Sequence, residues 1–147
     1  EKLHSDLEVM EICQVPQAVI YPKKFGIKKD IADFQDSVFY LSADAPVEYS
    51  RANLEQICVQ KEFIPKTKVV PNHATLLSLM DREDSAAIMD LWCQPIYDKK
   101  FKYVRLEASV PIVGAFRKNC AHAKIIRMLY KTLAERYEEE VMIIIRK

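Results

Sequence analysis

The sequence predicts an α+β protein, a sheet with helices packed on one face, assembled from two β-α-β units spanning 1–95 and 96–147. Three observations lead there. Segments with strand-like alternation are interspersed with segments of helical spacing. Prolines and short polar clusters punctuate them. A weak internal repeat joins the two halves: a strand, a Val-Pro pair (Val15-Pro16, Val110-Pro111), a short connector, a helix containing Ile27 or Ile126, and a strand.

Taken in order, Leu7 to Val15 reads as a strand, with Leu7, Val9, Cys13 and Val15 on one face and Met10 and Ile12 on the other. Pro16 is expected to end it, because proline cannot donate to a ladder. QAVIYPKKFG is expected to form a short helix or turn broken at Pro22 and Gly26. Phe25 to Asp36 carries Ile27, Ile31 and Phe34 at helical spacing, with Lys29 one turn from Asp33. SVFYLS, residues 37–42, is a β-branched and aromatic strand. ADAPVEYS is a polar loop, Leu54 to Ile64 a strand, and IPKTKVVPN a second loop. Asn72 is the expected N-cap of a helix to Met80, which breaks at Asp81 to Asp84, resumes to Trp92 and is closed by Pro95.

Lys100 to Val110 alternates most cleanly, with Val104, Leu106, Ala108 and Val110 on one face and Phe101, Tyr103, Arg105 and Glu107 on the other. Ala121 to Glu138 is the strongest helix, with an apolar stripe of Ile126, Leu129, Tyr130, Leu133 and Tyr137. Val141 to Ile145 reads as a final, fully covered strand.

Composition narrows the function. Hydrophobic residues make up 50% and charged residues 29%, which suits a folded core. A net charge of +1 argues against a strong sequence-independent grip on phosphates. Only Gly26 and Gly114 are glycine, too few for a P-loop or a dinucleotide fingerprint. Cys13, Cys58, Cys93 and Cys120 are scattered among apolar residues, as expected of reduced thiols in a cytoplasmic or nuclear protein. No apolar run reaches the ~20 residues of a membrane span, and EKLHSDLEVMEIC lacks the layout of a signal peptide. The sequence opens on Glu1, the expected start of a piece cut from a longer protein.

Two basic sets are candidate nucleic-acid contacts. Lys23, Lys24, Lys28 and Lys29 flank Tyr21 and Phe25, a mixture suited to phosphate contact and base stacking. Arg117 and Lys118 precede Lys124, Arg127 and Lys131, which share one helix face. The plainer reading of both is a solvated surface. Trp92, Tyr97, Phe101 and Tyr103 form an aromatic region, read either as a partner-binding patch or as glue between the halves. Cys120 and His122 are too few for zinc and have no orienting acid for catalysis. The acidic stretches Asp81 to Asp84 and Glu138 to Glu140 suit a helix break and a solvated helix end. No enzyme activity, metal or cofactor is expected.

The stretch VIYPKKFGIKKDIADFQDSVFYLS resembles the centre of a KH RNA-binding module, and YVRLEASVPIVGAF is similar to the opening of the KH-like repeats of the Bicaudal-C family. The resemblance implies a KH-like unit over 1–95 and a second, partial one over 96–147. The KH loop is GxxG, whereas this chain has YPKK at 21–24 and RKNC at 117–120, so the implied RNA clamp is degenerate. The function implied is a non-catalytic module of an RNA-regulatory protein. It would act mainly as a protein-interaction scaffold in post-transcriptional regulation, with a protein partner and at most weak single-stranded RNA contact. The alternative is an interaction domain of a larger complex with no nucleic-acid role.

Overall fold

The computed structural model describes residues 6–91 and 99–145, with 138–145 described by their backbone alone. The chain divides into two compact units, 16–109 and 1–15 with 110–147. Two long strands, β1 (Leu7–Pro22) and β5 (Phe101–Arg117), contribute residues to both.

Within 16–109 the sheet also contains β2 (Val38–Ser42), β3 (Lys66–Val70) and β4 (Ser85–Asp90), in the order β3-β2-β4-β1-β5. β2 runs parallel to β3, Val38 opposite Lys66 through Ser42 opposite Val70, and parallel to β4, Val38 opposite Ser85. β4 is antiparallel to β1, with Gln17 opposite Asp90 and Ile20 opposite Ala87. Helix α1 (Val47–Val59) links β2 to β3, and α2 (His73–Met80) links β3 to β4.

The expectation of helices on one face is corrected here. Alternation along the strands feeds two cores. Val19, Phe39, Leu41, Ala86, Val104 and Leu106 pack with Leu54 and Cys58 of α1 and with Ile31 and Phe34. Ile20, Tyr40, Val70, Ala87, Met89 and Phe101 pack with Leu76 and Met80 of α2. Parallel strands need crossovers, and covering both faces buries the inner strand β2, whereas the edge strand β3 keeps Lys66 and Lys68 exposed. Phe34 is fully buried between Tyr21, 5.3 Å away edge-on, and Phe39 at 6.1 Å. Truncating such a ring costs roughly 3–5 kcal/mol.

Several local expectations change for identifiable reasons. β1 does not stop at Pro16: the ladder to β4 begins at Gln17, so no β4 bond needs the missing N–H. Phe25 to Asp36 is two 3-10 turns, Lys23–Phe25 and Ile31–Phe34, the second fixed by Ala32 N–H donating to Asp30 Oδ1 at 3.0 Å. Residues 54–59 lie in α1, not in a strand: Leu54, Ile57 and Cys58 face the core at helical spacing. β4 replaces the resumed helix, because Ser85, Ala86 and Ala87 must be small and buried on both faces.

In the other unit, β5 continues past Pro111 to Arg117. Helix α3 (Ala123–Ile145) then absorbs the expected last strand, since an established helix propagates through β-branched residues more cheaply than it ends. Tyr130 turns toward β5 and Ile126 is partly buried, while Leu129 and Leu133 are 53% and 44% exposed rather than part of a buried stripe. Tyr130 stacks edge-on against Phe116 at 6.0 Å and lies over Gly114, where a Cβ would come within 2.2 Å of its ring.

Candidate functional site

Chain order places the site. The connection leaving β2 turns outward to β3, whereas the connection from β3 returns past β2 to reach β4. A crevice therefore opens beyond the carboxyl ends of β2 and β4, the position where open sheets of this type hold ligands. It has a volume of about 490 Å³, within the range of small-molecule sites. Phe39, Leu41, Leu54, Leu76 and Met89 give it apolar walls.

Its polar groups form two sets. On one side, Ser42 ends β2 and Asp44 follows it. The Ser42 hydroxyl donates to Asp44 Oδ2 at 3.2 Å, and the first N–H of α2, that of His73, donates to the same oxygen at 2.8 Å. Asn72 caps that helix by accepting the Thr75 N–H at 2.9 Å. Ala43 N–H holds the loop to the end of β3 through Val70 O at 2.9 Å. On the other side, Asn53 of α1 donates to Gln17 Oε1 at 3.2 Å, and Gln17 is cross-strand from Asp90. Burial raises the Asp90 carboxyl above the usual carboxylate range, and a hydrogen bond from Gln17 partly offsets this. The arrangement can orient a small polar molecule against an apolar wall. Among the described residues, no group of three or more His, Cys, Asp or Glu side chains is placed to hold a metal.

The chain was compared with known proteins. No family model and no curated protein matches the sequence. Solved structures do. The BenM effector binding domain with its effector benzoate aligns with a TM-score of 0.72 at 18% identity, over 95% of this chain and 67% of that one. CbnR, a LysR family transcriptional regulator, aligns at 0.67 and 19%, over 91% of this chain and 48% of that one. The fold is that of a LysR-type effector-binding domain. The regulatory domain of OxyR2 from Vibrio vulnificus aligns as well, at 0.67 and 12% identity, over 92% and 68%. The chain spans about half of full-length CbnR and two thirds of the BenM domain.

This LysR-type fold overturns the KH and Bicaudal-C resemblance, and with it the RNA-regulatory scaffold and the post-transcriptional role. The two supposed clamp loops have other jobs. Tyr21 and Pro22 are the buried end of β1, with Lys23 and Lys24 opening the 3-10 turn. Arg117 to Cys120 is a tight turn before α3, with Cys120 N–H donating to Arg117 O at 3.0 Å.

The predicted contact residues within 16–109 meet different environments. Lys23, Lys24 and Lys29 are exposed, and Lys24 lies 3.3 Å from Asp81. Lys28 turns inward: its ammonium donates to Ser37 Oγ at 2.7 Å and Asp84 Oδ1 at 3.0 Å, and sits 4.7 Å over the Phe34 ring. In the other unit, Arg127 forks onto Glu8 at 2.6 and 2.5 Å and lies 5.5 Å over Phe116. Lys118 N–H donates to Asp6 O at 2.9 Å, Arg117 is exposed, and Lys124 and Lys131 are exposed on α3. Phe101 is a core residue, with Tyr103 packed partly buried against the same cluster. Trp92 and Tyr97 lie outside the described residues.

The crevice residues Gln17, Ser42, Asp44, Asn53, His73 and Asp90 were missed by sequence reasoning. The available signal was two polar loops, each following a strand and each opening a helix. Reading 54–64 as a strand concealed that repeat.

Proposed function

We propose that this chain is the small-molecule-sensing part of a transcriptional regulator and that the crevice between β2 and β4 receives the effector. One observation carries the reading: a cavity of about 490 Å³, apolar in its walls and polar at its rim, lies at the carboxyl ends of parallel strands in a LysR-type fold. BenM holds benzoate as its effector, and full-length CbnR has been seen with its target DNA. By that likeness, DNA contact belongs to other parts of a longer regulator, and occupancy of the crevice biases their arrangement. No RNA contact and no reaction are required of the residues.

Thermal unfolding of the full chain against a panel of small organic molecules tests this. A ligand at about a hundredfold over its Kd stabilises the folded state by about 2.7 kcal/mol, a shift of several degrees. The expected result is at least one stabilising compound whose effect is lost in Ala45→Trp, which fills the exposed rim without touching the core. Stabilisation that persists in Ala45→Trp, or none from the whole panel, contradicts the reading.

A further inference from the structure

The charge balance of the crevice is acidic. Its lining holds two carboxylates, Asp44 and Asp90, against one imidazole, His73, and no Lys or Arg among the described residues. At the N-terminus of α2, two N–H groups are already taken by the chain's own side chains. Asp44 accepts the His73 N–H, and Asn72 accepts that of Thr75. Helix α1 opens on Pro46 and Val47 with Glu48 in its first turn, which adds a further negative charge there. At α2 the chain therefore supplies its own anion, Asp44.

Asp90 is in the opposite condition. It is half-buried at the end of β4, opposite Gln17, and no ion pair reaches it among the described residues. Gln17 is 7% exposed, and its amide oxygen is held by Asn53 at 3.2 Å, which aligns the glutamine beside the carboxylate. A carboxylate withdrawn from water without a cation is poorly compensated, and a ligand ammonium would restore the missing partner. Exposed Tyr49 adds an aromatic ring to the lining, which also suits a cation.

Building on the effector-site reading above, we propose that the crevice selects a small organic cation, an amine on an apolar body. Its ammonium sits at Asp90 and Gln17, and its body lies against Phe39, Leu54 and Met89. An aromatic carboxylate of the benzoate type is rejected, because it would meet the like charges of Asp44 and Asp90 with no Lys or Arg in the described lining to offset them.

Three probes of similar shape separate the possibilities: phenethylamine, 2-phenylethanol and phenylacetate, each titrated calorimetrically into the full chain, Ala45→Trp and Asp90→Asn. The expected order is amine, then alcohol, then acid. A charged hydrogen bond corresponds to a preference on the order of 30-fold for amine over alcohol. Asp90→Asn should reduce that preference to within about threefold while retaining the alcohol, since the change removes charge and keeps shape. Equal or tighter binding of phenylacetate in the unsubstituted chain, still blocked by Ala45→Trp, overturns the charge assignment and leaves the effector site standing. An amine preference that survives Asp90→Asn overturns the role of Asp90. Binding unaffected by Ala45→Trp, or no binding of any probe, overturns both.

Discussion

Cys58 shows how far local environment sets chemistry at the scale of one residue. It is fully buried between α1 and the sheet, and burial pushes its thiol up to about 12. The thiolate is the reactive form, so Cys58 should resist a disulfide reagent at about pH 8 in the folded chain and react on addition of denaturant. Mass-spectrometric mapping of the labelled peptide checks this. Asp33 illustrates the reverse case. It accepts the Lys29 N–H at 2.7 Å and the Asp30 N–H at 3.1 Å, and these bonds hold its carboxyl below the usual range. A lowered folded value gives stability that is present above the ordinary carboxylate pKa and lost as pH falls through the folded one. Asp33→Ala should therefore lower stability near neutrality and flatten the acid side of a denaturation profile measured from pH 6 to 2. The sequence showed Lys29 and Asp33 at helical spacing but not that the backbone N–H, rather than the ammonium, is the partner.

At the scale of elements, capping and close approach decide what stands. Asn72 was legible as an N-cap because an Asn before an apolar run supplies the acceptor that the first turn lacks. Asn72→Ala should cost about 1 kcal/mol in urea denaturation, and a negligible change would remove the cap's importance. Gly114→Ala should destabilise the chain by roughly 1–3 kcal/mol, because the new methyl meets the Tyr130 ring held against Phe116. β2 and the alternation of β5 were legible for a different reason: the pattern repeats over consecutive residues. α1 and β4 were not. LEQICV is rich in β-branched and apolar residues and SAAIMD in helix formers, so propensity pointed each the wrong way and tertiary packing prevailed. Pro16 misled, because a single missing donor is harmless where the β4 ladder does not call on it.

For the whole molecule, the two exchanged assignments hid the feature that matters. With α1 read as a strand and β4 as a helix, no parallel β2-α1-β3-α2-β4 path exists, and no crevice forms at its carboxyl ends. Correct assignment turns ADAPVEYS and the region of Asn72 from connecting loops into the rim of a cavity. Scattered polar residues such as Gln17, Asn53 and Asp90 cannot be grouped from sequence, since 73 positions along the chain separate the first from the last. The antiparallel pairing of β1 with β4 sets Gln17 opposite Asp90, and α1 brings Asn53 onto Gln17.

Amide chemical-shift mapping of the full chain during titration with a stabilising small molecule tests the effector crevice most directly. The expected result is saturable shifts concentrated at Gln17, Ser42, Asp44, Asn53, His73 and Asp90. Shifts concentrated away from the β2 and β4 carboxyl ends, with these six unmoved, would contradict it.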